Sequence, residues 1–265
     1  MTSRKLSVAG SFYPNSFDSI QKMIAQFNQI LKSAKLNDEF YQHKPKALIV
    51  PHAGYVYSGF TANSVYQMLN DRFERVVVIG PSHRVGFNGS SIALYDNYEI
   101  PSNNSISIDK EYSNYLQQKF NLNFYEQVHH EHSTEVQIPF IKHYLSKTKV
   151  VEIIYGKEDY QNISNIINEV MQDETNLIVI STDLSHFYTQ KDAQQKDNIC
   201  IEAIKNLDIK EFDNGCEACG ILGVKAIINS SKQLKLNPTI IDYRTSAEYN
   251  LDPSSVVGYL SVVFE

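Results

Sequence analysis

Three short apolar runs along the chain each lead, within a few residues, into a histidine. The runs span residues 47–50, 76–79 and 177–180, and the histidines that follow them are His52, His83 and His186. Because these runs are β-branched or aliphatic without polar alternation, they predict strands that are buried on both faces of a sheet. Loops at the carboxyl ends of such strands carry the ligand site in α/β folds. The pattern therefore predicts that the three imidazoles lie in one crevice at that edge of the sheet.

Helix-like spacing and turn residues fill the intervals between these strands. The region 85–108 is rich in Gly, Ser and Asn with short alternating pieces, which indicates antiparallel excursions or a lid. Helices are predicted at 17–31, near 60–70, and at 109–119, 134–146, 160–172, 190–205 and 217–231. Strands are predicted at 46–50, 75–79, 149–154, 176–181, 239–243 and 256–264. This alternation predicts a single α/β domain over residues 1–265, with a central mixed, mostly parallel sheet flanked by helices.

Composition narrows the class of protein. A chain of 265 residues with 42% hydrophobic residues is long enough to bury a sizeable core within one domain. The net charge of −6 and the absence of a basic block argue against a nucleic-acid partner. The apolar runs are far shorter than the ~20 residues that span a bilayer, and the first residues lack the apolar core of a signal peptide. We therefore expect a cytoplasmic protein with no membrane partner.

The histidines and their neighbours indicate a metal site. Neutral imidazole binds Fe(II), copper and zinc, so His52 and His83 are the first two candidate ligands. The third ligand is either Asp183, which would favour Fe(II), or Cys219, which leaves iron, copper and zinc open. Asp183 has a second use, in which its carboxylate orients His186 for proton transfer, and we favour that use.

The three cysteines are Cys200, Cys216 and Cys219. An odd number in a chain of this length does not suggest a disulfide framework, so each is expected to be a thiol. Cys219 lies where a helix is predicted to begin, and a helix amino terminus lowers the pKa of a thiol, which favours a ligand or a reactive thiol. The alternatives are a buried small hydrophobic residue and a Cys-x-x-Cys dithiol formed with Cys216.

Further pocket residues are predicted close to these groups. Tyr55 and Tyr57 directly follow His52 and are candidates for substrate binding, although aromatic residues in such a turn equally often serve packing. His132 is a third candidate, at the start of a helix for which Ser133 is the expected N-cap. Four other histidines have no supporting pattern and are predicted to lie on the surface: His43, His129, His130 and His143.

Seven short motifs together resemble the Memo family. In chain order they are AGSFYP at 9–14, PHAGYVYSG at 51–59, GPSH at 80–83, EHSxExQxPF at 131–140, DLSH at 183–186, ACG at 218–220 and VGY at 257–259. The resemblance covers nearly the whole chain, and PHAGYxYSG together with GPSH is specific. Because the Memo family is similar in fold to the class III extradiol dioxygenases, which are non-haem iron enzymes, the resemblance implies a class III extradiol dioxygenase-like fold.

The resemblance also implies roles for individual residues. His52 and His83 match two histidine ligands, His186 matches an acid or base near the metal, and Cys219 falls at the position of a third ligand. Memo proteins are described as binding iron or copper through two histidines and this cysteine, with Asp183 completing the pocket. A thiolate beside Fe(II) and oxygen is itself oxidisable, so ring cleavage is not implied. Animal members are described as binding a phosphopeptide, and microbial members as accompanying a radical-SAM protein.

We therefore expect iron or copper, with zinc as the alternative, at His52, His83 and Cys219. A redox or oxygen-linked activity on an unknown small molecule or peptide would use Asp183, His186 and Cys219 as catalytic residues. The first rival is a non-catalytic module that receives a peptide or small ligand in the same pocket. The second is a zinc hydrolase, in which the metal lowers the pKa of bound water to ~7 and His186 moves the proton.

Overall fold

The computed structural model describes residues 2–34 and 42–265, and within them strands and helices alternate. The strands are β1 (Ser3–Arg4), β2 (Ala47–Val50), β3 (Arg75–Pro81), β4 (Ser90–Ile92), β5 (Asn97–Ile100), β6 (Asn104–Ser107), β7 (Lys149–Tyr155), β8 (Asn176–Ser181), β9 (His186–Tyr188), β10 (Pro238–Thr245) and β11 (Val256–Phe264). The helices are α1 (Phe17–Ser33), α2 (Tyr55–Tyr66), α3 (Lys110–Phe120), α4 (His132–Glu135), α5 (Ile138–Tyr144), α6 (Tyr160–Val170), α7 (Gln190–Lys205), α8 (Ile221–Leu234) and α9 (Ala247–Asn250).

The main sheet has parallel strands at its centre and antiparallel strands at both edges. In the order β2-β8-β3-β7 each strand pairs in parallel with the next. Strands β11 and β10 continue one edge in antiparallel pairing, and β4 pairs antiparallel with β7 at the other. A separate sheet contains β1, β5 and β6, and β9 pairs with the start of β11. The predicted α/β class, with a mixed, mostly parallel sheet flanked by helices, is confirmed.

Both faces of the central strands are buried, because alternate residues of one apolar run point to opposite sides of the sheet. Ile49 and Val77 belong to a core covered by α6, α7 and α8. Their neighbours Leu48 and Val76 belong to a second core, covered by α1, α2 and α5. Continuous apolar runs, and not alternating ones, are therefore the sequence signal of these strands.

The pairing register sets the position of the site. Val50 at the end of β2 lies opposite Ser181 at the end of β8, and Ile79 of β3 lies opposite Ile180. The loops that leave these three strands therefore start side by side at one edge of the sheet. Among the described residues, the helices are all too short or too polar to cross a membrane.

Candidate metal centre

Three imidazoles converge at the carboxyl ends of the central strands. His52 follows β2, His83 follows β3, and His132 begins α4. Each contributes one donor nitrogen, and the three nitrogens lie within 4.8 Å of one another. The ring centroids of His83 and His132 are 4.7 Å apart, and that of His52 lies 5.1 and 5.3 Å from them. The sequence predicted His132 as a substrate-binding residue, and its ring also lies where it could supply a third nitrogen to a metal ion.

Glu131 holds two of these rings by the nitrogen that faces away from the donor group. Its buried Oε1 lies 2.7 Å from His132 Nδ1 and 3.4 Å from His83 Nδ1. Burial alone would raise the pKa of this carboxyl, but the hydrogen bonds from His132 and His83 outweigh it and hold the pKa well below its ordinary value. Because the carboxylate engages Nδ1 of both rings, Nε2 of each is left for a ligand.

His52 is oriented by a serine of the neighbouring strand. Its Nδ1 lies 3.0 Å from Ser181 Oγ, which also accepts a hydrogen bond from Gln137 Nε2 at 2.9 Å. The ring is buried, and burial together with the nearby charges of His83 and His132 lowers its pKa well below 6.5. His52 is therefore neutral at physiological pH, which is the form of imidazole that binds a metal.

The depressed pKa of His52 predicts that the metal-free protein is less stable in acid. The unfolded chain takes up a proton on His52 near pH 6.5, whereas the folded protein does so only at lower pH. The free energy of unfolding should therefore fall below about pH 6.5, by up to about 1.4 kcal/mol per pH unit from this group. We expect His52→Gln to reduce that slope, and His130→Gln, an exposed control, to leave it unchanged. Urea unfolding at stepped pH checks this, and equal slopes in all three proteins would contradict it.

Asp183 and Cys219 lie at the Nε2 edge of the His52 ring. Asp183 Oδ1 accepts the backbone N–H of His52 at 2.7 Å, and Oδ2 is 4.0 Å from His52 Nε2. Cys219 Sγ is 3.2 Å from the same Nε2 and accepts the backbone N–H of Asp183 at 3.2 Å. The thiol that the sequence predicted as a ligand thus contacts one of the three imidazoles directly.

Cys219 does not have the thiolate character that was expected of it in the metal-free protein. Burial, reinforced by the charge of Asp183, raises the pKa of its thiol to about 12. The sequence predicted Cys219 at the start of a helix, but α8 begins only at Ile221, with Gly220 as its N-cap, so Cys219 precedes the helix. The prediction that a helix amino terminus lowers this pKa is therefore wrong.

His186 lies three residues after Asp183 in the chain. Within the described part of the chain, no hydrogen bond joins the two side chains. The buried Asp183 carboxyl has a raised pKa, because desolvation outweighs the hydrogen bond from His52 and the charge of His186. The half-buried His186 lies at the first residue of β9, which pairs it with Val257. The two groups therefore interact through charge, and the orientation of His186 by Asp183 stays a prediction.

The two tyrosines predicted to bind substrate have different surroundings. Tyr55 is buried, its ring stacks on Phe140 at 4.6 Å, and its hydroxyl donates to the Val136 carbonyl at 2.7 Å. Tyr55 thus serves packing, which was the alternative for this residue, although it also lines a small cavity with Phe12 and Met23, and its role in substrate binding stays a prediction. Tyr57 is 40% exposed and meets Tyr249 edge-on at 5.2 Å. A residue that the sequence reasoning missed is Phe12, whose ring lies 4.8 Å from that of His132.

The prediction of four surface histidines holds fully only for His130, which is exposed. His43 and His143 are half-buried. His129 is fully buried, with Nδ1 2.8 Å from Glu152 Oε2 and Nε2 2.9 Å from Ser91 Oγ. The surface prediction for His129 is wrong because two buried polar partners, distant in sequence, hold its ring inside.

The expectation that all three cysteines are thiols is also wrong. Cys200, on the buried face of α7, forms a disulfide with Cys216, and Cys219 is the free cysteine. The turn that ends at Gly215, a residue with φ of +117°, returns the chain to α7 and brings the two sulfurs together. This pairing also excludes the Cys216-x-x-Cys219 dithiol alternative.

Similarity to known proteins extends over the same residues. The profile of a family described as Memo-like protein matches residues 4–263. The chain belongs to the Memo family. A MEMO1 family protein of Aquifex aeolicus is 34% identical over the full length of both chains. Another from Sulfurisphaera tokodaii is 32% identical over 97% of this chain and 98% of its own, and one from Archaeoglobus fulgidus is 28% identical over 97% of each. These names specify no ligand or reaction, so the chemistry of this Memo protein has to be argued from its site.

Proposed function

We propose that the chain binds one transition-metal ion, iron or copper, and uses it in a redox or oxygen-linked reaction. The observation that carries the proposal is the group of three imidazole nitrogens from His52, His83 and His132. Cys219, which contacts His52 Nε2, is the further donor that the sequence predicted. Imidazole and thiolate donors together suit iron, copper and zinc, and the likeness of the Memo family to non-haem iron dioxygenases favours the redox metals.

The residues fit such an ion before it binds. Nitrogens that are each about 2.0–2.1 Å from one metal are at most about 4.2 Å apart, so the three imidazoles need only small rotations to reach it. Ser181 fixes the His52 ring, and Glu131 fixes the other two. Ligands held in place by such hydrogen bonds bind metals more tightly than free ones.

When bound, iron or copper supplies electron transfer and Lewis acidity. Burial raises the pKa of the Asp183 carboxyl, and the His52 N–H fixes Oδ1, so Oδ2, 4.0 Å from His52 Nε2, is the atom that would take up or release a proton beside the donor group. His186, half-buried at the start of β9, is the second group proposed to take part in proton transfer. Phe12 packs on the His132 ring and lines the site there.

The test is the metal content of the protein after anaerobic purification from cells supplied with iron, copper and zinc. We expect about one iron or copper per chain. Zinc alone would favour the hydrolase, because three histidines with an open position are a ligand set of catalytic zinc. A protein that stays empty after loading with each metal would overturn the proposal and favour the ligand-binding module.

Two variants test the donor set with the metal that the wild type retains. We expect His132→Gln and Cys219→Ser each to weaken metal binding, the first by more than about 100-fold, since even second-shell residues are worth about 10–100-fold. His130→Gln, an exposed control, should bind as the wild type does. Wild-type affinity in His132→Gln would remove this residue from the donor set and leave His52, His83 and Cys219.

A further inference from the structure

A buried ionic network lies directly behind α4, the turn that begins with His132. Arg4 is 1% exposed, and Glu135, Glu152 and His129 are fully buried. The Arg4 guanidinium pairs with the Glu135 carboxylate, while the Glu152 carboxylate holds His129 at 2.8 Å. Buried charges are costly even when paired, and well-packed apolar residues often replace them without loss of stability. A network of this kind next to a donor group therefore calls for a role other than stability.

Arg4 connects this network to the residue that orients two of the imidazoles. Its Nη2 donates to the backbone carbonyl of Glu131 at 2.7 Å, and its Nη1 donates to Glu135. The side chain of Glu131 in turn engages Nδ1 of His83 and of His132. Arg4 thus fixes the backbone from which the orienting carboxylate projects.

Glu135 fastens the N-terminal arm, residues 4–13, to the same turn. Its carboxylate accepts the backbone N–H groups of Ser7 at 2.8 Å and Val8 at 2.9 Å, and the hydroxyl of Tyr13 at 2.7 Å. The arm ends next to the site, where the Phe12 ring lies 4.8 Å from the His132 ring. The arm and the α4 turn are therefore held together by one carboxylate, whose hydrogen-bond partners in the described part of the chain all belong to the arm.

We propose that Arg4 and Glu135 are positioning residues of the metal site. They hold Glu131 at the place from which its carboxylate keeps His83 and His132 turned with Nε2 towards the ion. Neither residue belongs to the donor group itself. The role in metal binding rests on the proposed function, but the orientation of the rings exists without metal and is measured without it.

The first measurement uses metal-free protein with ¹⁵N-labelled histidine at pH 8. A carboxylate only accepts hydrogen bonds, so His132 in the wild type should carry its proton on Nδ1. We expect Arg4→Met to lose that tautomer preference. Arg4→Lys should keep part of it, because the lysine ammonium can pair with Glu135 but lacks the planar guanidinium that reaches Glu135 and the Glu131 carbonyl together. Unchanged tautomers in a folded Arg4→Met protein would overturn the proposal. If Arg4→Met does not fold, Glu135→Gln takes its place with the same expectation.

The second measurement is Co²⁺ affinity, followed by the visible absorption of the ion. We expect Arg4→Met to weaken Co²⁺ binding by about tenfold, as is typical when support of a ligand is lost. The matched control is Asp109→Asn, which breaks the part-buried Arg75–Asp109 pair, 2.9 Å long, at the amino end of β3. It should destabilise the fold but leave Co²⁺ affinity unchanged, and an equal loss in both variants would make the Arg4 network merely structural.

The two measurements distinguish a failure of the proposed metal site from a failure of the positioning role of Arg4 and Glu135. A wild type that binds neither Co²⁺ nor any other metal contradicts the proposed function, while the tautomer comparison still decides the role of Arg4. If the wild type binds Co²⁺, and Arg4→Met and Glu135→Gln change neither the Co²⁺ affinity nor the histidine tautomers, the metal site is supported and the positioning role is contradicted.

Discussion

Glu131→Gln should weaken metal binding by about 100-fold, although Glu131 supplies none of the donor atoms. Its carboxylate accepts hydrogen bonds from Nδ1 of His132 and from the backbone N–H groups of His83, at 2.6 Å, and Arg84, at 3.2 Å. An amide has one oxygen instead of two and presents donors to the remaining partners, so at least one buried N–H loses its acceptor. Residues that orient metal ligands are worth about 10–100-fold in affinity, and this one orients two ligands.

The same substitution should lower the free energy of unfolding by about 2–4 kcal/mol, because each unsatisfied buried donor costs about 1–3 kcal/mol. Metal titration and urea unfolding check the two effects separately. Glu126→Gln is the matched control, since Glu126 is an exposed carboxylate in the turn just before Glu131. Equal metal affinities in the two variants would show that His83 and His132 find their orientation without Glu131.

The strands were predictable because their signal is local. The runs at 47–50, 76–79 and 177–180 are apolar at every position, and burial on both faces follows from that alone. The helix boundaries were predicted less accurately. The helix predicted at 134–146 is two helices, α4 and α5, because Pro139 in the first turn of α5 has no N–H to donate to the carbonyl of Glu135, the last residue of α4. This proline is a local signal in the sequence, which the helical spacing of the apolar residues outweighed in the prediction.

The roles within the motif EHSxExQ at 131–137 were not predictable, because the partners of its side chains are far away in sequence. Ser133 was expected to cap a helix, but the N-cap is Glu131, and Ser133 Oγ donates to the Pro81 carbonyl at 2.7 Å. Gly80 is needed at that contact, because a Cβ there would lie 2.7 Å from Ser133 Oγ. Glu131 and Ser133 thus bind at the end of β3, Gln137 binds at the end of β2, and Glu135 binds the N-terminal arm. The motif identified the family, but only the fold assigns its partners.

The VGY motif at 257–259 has a similar physical basis. Gly258 of β11 lies against Asp197 of α7, and a Cβ on Gly258 would be 2.0 Å from Asp197 Oδ2. The buried Asp197 carboxylate accepts the backbone N–H of Ser185 at 2.9 Å and the hydroxyl of Tyr243 at 2.8 Å. Since Ser185 directly precedes His186, this carboxylate holds the segment that carries the predicted acid or base of the site.

Gly258→Ala should therefore lower the free energy of unfolding by about 3–5 kcal/mol. Overpacking costs about 1–3 kcal/mol, and displacing Asp197 leaves buried donors unsatisfied at a similar cost. Gly86→Ala is the control, because a Cβ there meets no atom within 4 Å, and its effect should stay within about 0.5 kcal/mol. In the Asp197→Ala background the clash is absent, so Gly258→Ala should add little, and urea unfolding of the full double-mutant cycle measures this. Additive costs in that cycle would show that the added methyl group meets something other than Asp197.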